Sequence, residues 1–340
     1  MSLQSQILGY PGQDNALLVR LDTGQSNFDF LFDCGEVAIG RLGKSRVQGL
    51  YGLFLSHAHM DHICGFDSLF RFVFGRPTPF HIFGPARTIE IMHCRFRGFR
   101  WNLVSSCPGE MIVHEVDGNV LRSARFLCRE GFVKIHPLPE TPFIKESQAL
   151  TGILLSHADF EVHAAVLDHK TDCLGFSIYE RARSHIDPAK MASLGLKPGK
   201  WCSQLKRLDL PPETLLSLDD GRSISLKQLK EDLLDWHPGY KITYVTDVGF
   251  TPDNKKNLLA LAEASDELVI ECTYKDTEAH LASDHYHLTV SQSAWIAKNA
   301  LVKKLVLFHF SDRYSKSDRL EMLATAKTIH PNAVFPEHWE

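Results

Sequence analysis

Six residues, His57-Ala58-His59-Met60-Asp61-His62, place three imidazoles and a carboxylate in one short stretch. Imidazole nitrogen and carboxylate oxygen are donors that a borderline-soft divalent cation such as zinc prefers, and two neighbouring cations need about this many donors from one loop. The chemistry on offer is half of a two-metal site. A His-rich loop can also be incidental surface, but here the H-x-H-x-D-H spacing follows directly on the apolar run Leu50-Tyr51-Gly52-Leu53-Phe54-Leu55. That run reads as a buried strand, which puts the ligands on the loop at its end.

Other metal-type residues recur at the ends of apolar runs. His169 lies between the strand patterns Val162 to Leu167 and Leu174 to Ile178, at a strand-end hairpin suited to completing a coordination sphere. Asp247 ends the run from Lys241, Glu271 ends the run from Glu267, and His309 follows Lys304 to Phe308. Helical stretches at 254 to 264 and from Thr289 to Ala300 separate these runs, the second entered through Asp284-His285-Tyr286-His287. Strand, helix, strand, helix, strand is the pattern of repeated βα units. Upstream, residues 7 to 35 read as a β-meander that delivers Asp33-Cys34-Gly35-Glu36 to a strand end. Asp33 is either a turn carboxylate or a support for the metal ligands. Histidines 81, 114, 136, 157 and 163 read as packed or satisfied structural residues.

With 340 residues, 44% of them apolar, the chain can bury a large core. Its longest apolar runs fall short of the roughly 18 to 20 residues needed to cross a bilayer, and Met1-Ser2-Leu3-Gln4 lacks a charged segment followed by an apolar one. Eight scattered cysteines without a C-x-x-C pair suggest neither a disulfide framework nor a thiolate zinc cluster, so a reducing cytoplasm is expected. The net charge of −4 argues against general coating of nucleic acid. Charge is nevertheless unevenly placed: seven basic groups (Arg181, Arg183, Lys190, Lys197, Lys200, Lys206, Arg207) and one acid, Asp187, give 181 to 207 a charge of +6, leaving −10 elsewhere. Together with Gly195, Pro198, Gly199 and Trp201, this predicts a protruding basic arm outside any core, the alternative being a solvated linker. A second basic stretch, 91 to 109, has no acid and interleaves Arg95, Arg97 and Arg100 with Phe96, Phe99 and Trp101. It reads either as a phosphate-and-base surface or as an amphipathic helix with arginines reaching to solvent.

The His57–His62 loop resembles the signature of the metallo-β-lactamase superfamily. With His169, Asp247, Glu271, His287 and His309 added, the resemblance narrows to ribonuclease Z, the zinc endonuclease that cuts precursor tRNA at its 3′ end. Asp33-Cys34-Gly35-Glu36 is similar to that family's DCGE turn and Asp61-His62-Ile63-Cys64-Gly65 to its DHxxG continuation. Leu194 through Lys206 looks like its RNA-gripping arm, Asp219-Asp220-Gly221-Arg222 like the return from that arm, His287-Leu288-Thr289 like its HST motif, and Phe308 to Tyr314 like its HFSxRY ending. The chain departs from the family by lacking an arginine in Gly9 to Asn15, by lysines 197 and 200 where prolines are usual, and by Ile270 before the glutamate.

The resemblance implies a four-layer αββα sandwich forming one domain over 1–340, with halves at about 1–165 and 166–340. It implies one metal on His57, His59 and His169, another on Asp61, His62 and His309, and Asp247 bridging them. Zinc is expected, with manganese or iron(II) able to use the same donors. A metal-held hydroxide would attack phosphorus in line, with Asp61 as proton acceptor and His287, oriented by Glu271, as general acid; His285 competes with His287 for that role. Lys197, Lys200, Lys206 and Arg313 are the implied substrate contacts, although Arg313 fits a surface ion pair equally well. A homodimer in which one arm serves the other subunit's centre is also implied. The competing functions are a hydrolase of a small phosphodiester, lactone or other ester on the same scaffold, and a catalytically idle RNA-binding protein.

Overall fold

In the computed structural model, which describes residues 3–13, 16–144, 150–205 and 210–339, the apolar runs form two large sheets. Strands Leu3–Ile7, Leu17–Asp22, Asn27–Phe32, Leu50–Phe54, Phe80–Pro85, Glu110–Asp117, Val120–Leu127 and His136–Pro142 lie side by side in chain order. The second sheet runs Ala333–Val334, Lys304–Phe308, Glu267–Glu271, Lys241–Val245, Asp172–Glu180, Phe160–Asp168, Gly152–Ser156. Its first four strands are parallel, as the βα pattern predicts. The division expected near residue 165 falls earlier. Phe160–Asp168 and Asp172–Glu180 pair antiparallel along their whole length, so the chain has already left the first sheet after Pro142.

Alternation along the strands builds the layers. Leu31 and Leu53 pack with the helices Phe66–Val73 and Thr88–Phe96, which cover the outer face of the first sheet through Phe66, Phe70, Met92 and Phe96. Their neighbours face the opposite way: Phe30 meets Phe160 at 4.8 Å between ring centres, and Phe32 meets Phe176 at 5.4 Å, so aromatic rings fill the space between the sheets. On the far side, Leu258, Leu261, Ala294 and Met322, from the helices Pro252–Ala262, Val290–Asn299 and Lys316–Ile329, pack on Val245, Leu268 and Leu305. This is the expected αββα order.

Two compact units are present, Met1–Glu180 with Lys241–Glu340, and Arg181–Tyr240. The second has its own core of Leu196, Trp201, Leu205, Leu216, Leu226, Leu229 and Leu233. The basic stretch is therefore not wholly outside a core: Trp201 is 3% exposed, while Lys197 and Lys200 remain at the surface. The turn Asp219-Asp220-Gly221 joins strands Leu215–Ser217 and Ser223–Ser225, with Gly221 at φ 87°. Lys206 and Arg207, like Asp14 and Asn15, lie outside the described residues.

The carboxylate of Asp33 ties the two sheets together. It is fully buried and accepts from the Ser56 backbone N–H at 2.7 Å, the Ser56 hydroxyl at 2.8 Å and, from the second sheet, the Tyr244 hydroxyl at 2.9 Å; His62 Nδ1 lies 2.9 Å away. An alanine there strands all of these partners without water. In the presence of a chelator, Asp33→Ala is expected to cost about 3 kcal/mol or more of unfolding free energy in urea, whereas Tyr244→Phe, which removes one bond, costs about 1 kcal/mol.

Candidate metal centre

The ends of five strands converge on one cluster of donors. Strand Leu50–Phe54 leads into His57 and His59, and a single helical turn, Met60–Ile63, then carries Asp61 and His62. Gly65 lets this turn close against Asp33-Cys34-Gly35: Gly65 N–H donates to the Cys34 carbonyl at 2.9 Å, Cys34 N–H donates to the His62 carbonyl at 2.7 Å, and a Cβ on Gly65 would stand 2.2 Å from the Gly35 oxygen. The hairpin after Asp168 supplies His169, and the ends of the next three parallel strands supply Asp247, Glu271 and His309. Asp33, Asp247 and His309 all have positive φ, 57°, 32° and 53°, a backbone region that costs on the order of 1 to 3 kcal/mol for a side-chain-bearing residue and persists where surroundings enforce it.

Among the described residues three groups of donors result: His57, His59, His169 and Asp247; Asp61, His62, Asp247 and His309; and Glu271, His287 and His309. Asp247 belongs to the first two. Its Oδ2 lies 3.6 Å from His57 Nε2, 3.4 Å from His62 Nε2 and 3.6 Å from His169 Nε2, while its Oδ1 lies 3.1 Å from His309 Nε2. The other ring nitrogen of each imidazole is held from behind. His57 Nδ1 meets the Ser56 hydroxyl at 3.0 Å, His62 Nδ1 meets Asp33, His169 Nδ1 donates to the Tyr286 carbonyl at 2.7 Å, and His309 Nδ1 meets the Thr273 hydroxyl at 3.0 Å. This backing fixes the tautomer that leaves Nε2 as the inward donor. His57 Nε2 and His62 Nε2 are buried without a hydrogen-bond partner. Such orphaned lone pairs, converging on a shared carboxylate, fit a pair of divalent cations.

The electrostatics differ from donor to donor. Burial, with the His62 imidazole adding to it, pulls His57 down to about 2, so it is a neutral donor at physiological pH. Burial alone would push the Asp247 carboxyl up, but His309 and His62 outweigh it and keep it ionised. His287 differs in kind. Burial lowers it, yet the Glu271 carboxylate, 3.1 Å from Nδ1, more than offsets this and raises it to about 9, so the imidazole holds a proton at neutral pH. Glu271 is itself fixed by the N–H groups of Val248 and Leu288 and by the Thr273 hydroxyl.

The remaining expected site residues are distributed as follows. His285 is outside the three groups, its Nδ1 2.6 Å from the Tyr274 hydroxyl. Arg313 is engaged with Glu278 at 3.1 Å and lies over the Tyr274 ring. Lys197 and Lys200 are exposed in the Arg181–Tyr240 unit. Histidines 81, 114, 136, 157 and 163 take no part in the donor groups; His114, for example, meets His81 and Ser123. Ser56, Thr273 and Tyr244 are supports that the motifs did not single out. Beside Asp61 and His309 opens a cavity of about 230 Å³, also lined by Tyr10, Gln13 and Trp339.

The fold places the chain among metallo-β-lactamase-fold proteins. It superposes on the fold protein YhfI from Bacillus subtilis over 98% of this chain and 96% of that one, with TM-score 0.57 and 15% identity. It superposes on the short form of human tRNase Z over 92% and 94%, with TM-score 0.51 and 20% identity. No protein-family model matches the chain. Along the sequence, ribonuclease Z of Deinococcus radiodurans is 34% identical over 338 residues, covering 99% of this chain and 98% of that protein. The chain belongs to the ribonuclease Z family.

Thr273 touches His287, His309 and Glu271 through one hydroxyl. Thr273→Val, which preserves shape, is expected to weaken divalent-cation affinity about 10- to 100-fold in competition with a chromogenic chelator, with the far-ultraviolet circular dichroism unchanged.

Proposed function

We propose that the protein is a metal-dependent endoribonuclease that cuts precursor tRNA at its 3′ end. The observation that carries this reading is a pair of His/Asp donor groups joined at Asp247 in a chain of the ribonuclease Z family. His57, His59 and His169 would hold one divalent cation and Asp61, His62 and His309 the other, with Asp247 shared. The donor set suits zinc and excludes neither manganese nor iron(II). When bound, two such ions supply Lewis-acid neutralisation of charge on a phosphodiester and a low-pKa water.

The chain's own groups do the rest. Asp61 is held ionised against the pull of burial by the His309 and His62 imidazoles, the state from which it would take the water's proton. Glu271 and Thr273 grip Nδ1 of His287, leaving Nε2 as the atom that delivers a proton to the departing oxygen. The exposed lysines of the Arg181–Tyr240 unit act on substrate rather than on bond cleavage, and the reading includes a homodimer and a reducing cytoplasm. Among the described residues no helix is long and apolar enough to cross a membrane. The second reading, hydrolysis of a small phosphodiester, lactone or other ester, uses the same centre; the absence of any cysteine from the donor groups sets both apart from thiolate-ligated sites.

With metal-loaded protein, a 3′-extended precursor tRNA should be cut at one 3′ position. Asp247→Ala should abolish cutting, and His287→Ala should lower kcat by about 10²- to 10⁴-fold with metal content retained. Hydrolysis confined to a small chromogenic diester would instead favour the second reading. Charge reversal of Lys197, Lys200 and Lys206 together should weaken RNA cleavage, flatten the dependence of log affinity on log salt, and spare diester hydrolysis; equal loss of both activities would remove the arm from RNA binding.

A further inference from the structure

The acid-free stretch 91 to 109 has a use that the metal centre and the basic arm leave open. Its helix ends at Phe96, and the chain then turns through Arg97 to Ser105 across the end of the first sheet. There it meets the turn after strand Val120–Leu127, and the two segments enclose a groove of about 590 Å³ lined by Arg97, Phe99, Arg100, Trp101 and Arg129. Trp101 is anchored: its Nε1–H donates to the Phe96 carbonyl at 2.7 Å and its ring packs on Phe132 at 4.9 Å. Phe99 leans on Trp101 at 6.0 Å yet stays 43% exposed. The guanidinium groups of Arg97, Arg100 and Arg129 are exposed, and none has a hydrogen-bond or ion-pair partner among the described residues. By contrast Arg95, one turn away, is paired with Asp67. The one acid on the groove, Glu130, has its carboxylate 2.8 Å from His136 Nε2 and is held below the usual carboxylate range first by that contact, with Lys134 and Arg129 adding to it.

We infer that this groove binds an unpaired stretch of RNA, with a base stacked on Phe99 and phosphates on Arg97, Arg100 and Arg129. The inference rests on the proposed reading of the protein as an RNA enzyme. Rigid aromatic platforms beside free guanidinium groups are how single strands are held without sequence readout. A second copy of the chain is a poor occupant, because a two-fold contact on this face would bring two sets of unneutralised arginines together. The groove lies at the start of strand Glu110–Asp117, whereas the metal-ligand loop leaves the opposite end of the parallel strand Leu50–Phe54. Six-residue Phe80–Pro85 between them spans roughly 20 Å, so an RNA touching both must extend at least that far from the cut.

The test uses full-length metal-loaded protein, a fluorescein-labelled oligouridylate, a 3′-extended precursor tRNA and bis(p-nitrophenyl) phosphate. The triple variant Arg97→Glu, Arg100→Glu, Arg129→Glu should bind both RNAs at least about tenfold more weakly and lower the slope of log affinity against log salt by about two, while hydrolysing the diester normally. Phe99→Ala should lose about tenfold in oligouridylate affinity with the salt slope unchanged. If precursor tRNA is cut but the triple variant keeps wild-type RNA affinity and slope, the groove is overturned and the proposed function stands. If wild-type protein leaves precursor tRNA intact yet binds oligouridylate with this arginine dependence, the proposed function falls and the groove stands. A triple variant altered only in oligomeric state, with RNA affinity intact, would make this face a contact between copies and overturn the inference.

Discussion

Asp247 is a carboxylate almost entirely removed from water, with four imidazole Nε2 atoms within 3.6 Å of its two oxygens. Burying a charge in this way is tolerable only if opposite charge and directed donors replace the lost hydration. The three strand ends that supply those imidazoles, and the fourth that carries Asp247 itself, are thereby constrained to meet at one point. Unlike a leucine core, which accepts rearrangement at modest cost, this centre permits one arrangement, because each imidazole has a second nitrogen that must also be satisfied.

Satisfaction of those second nitrogens is what couples the centre to the fold. Asp33 reaches His62 Nδ1 while accepting from Ser56 on one sheet and Tyr244 on the other, so orienting a ligand and fastening the sheets are one act. Thr273 does the same between His309 and the Glu271–His287 pair. The left-handed backbone at Asp33, Asp247 and His309 belongs to this scheme: each residue must turn its side chain back over a strand end, and the hydrogen bonds behind it hold the strained conformation.

What the sequence discloses is set by how local the cause is. His57 to His62 are legible because the donors and the strand before them are contiguous. His169, Asp247, Glu271 and His309 are legible because each follows an apolar run. The Asp33 supports are not, since its partners are 23, 29 and 211 residues away and a serine or tyrosine carries no signal of its own. Likewise the extent of the second unit is hidden, because strands Arg183–Ile186 and Leu234–His237 pair across some fifty residues and neither is long enough to show a period. The helix Lys316–Ile329 is a different case. Its capping box, Ser315 with Asp318, stands in the sequence, but the weak apolar periodicity behind it gives little to read.

Precise placement and broad substrate contact ask opposite things of a chain. The centre needs donors held to a fraction of an ångström, and it obtains them from strand ends, one helical turn and backbone clamps within the two-sheet unit. Contacts along an extended polyanion need only charge and flat surface, since phosphate recognition is long-ranged and stacking is sequence-tolerant. In this chain the first demand is met around Asp247 by His57, His62, His169 and His309, each with its Nδ1 held from behind and its Nε2 turned inward. Exposed cationic residues suited to the second stand in two places, Lys197 and Lys200 in the small unit and Arg97, Arg100 and Arg129 around Phe99. Of the departures from the family, the loop near Gly12 and the lysines of the arm are at the surface, whereas Ile270 is buried in the strand that ends at Glu271. None of these departures falls on Asp247 or on the imidazoles around it.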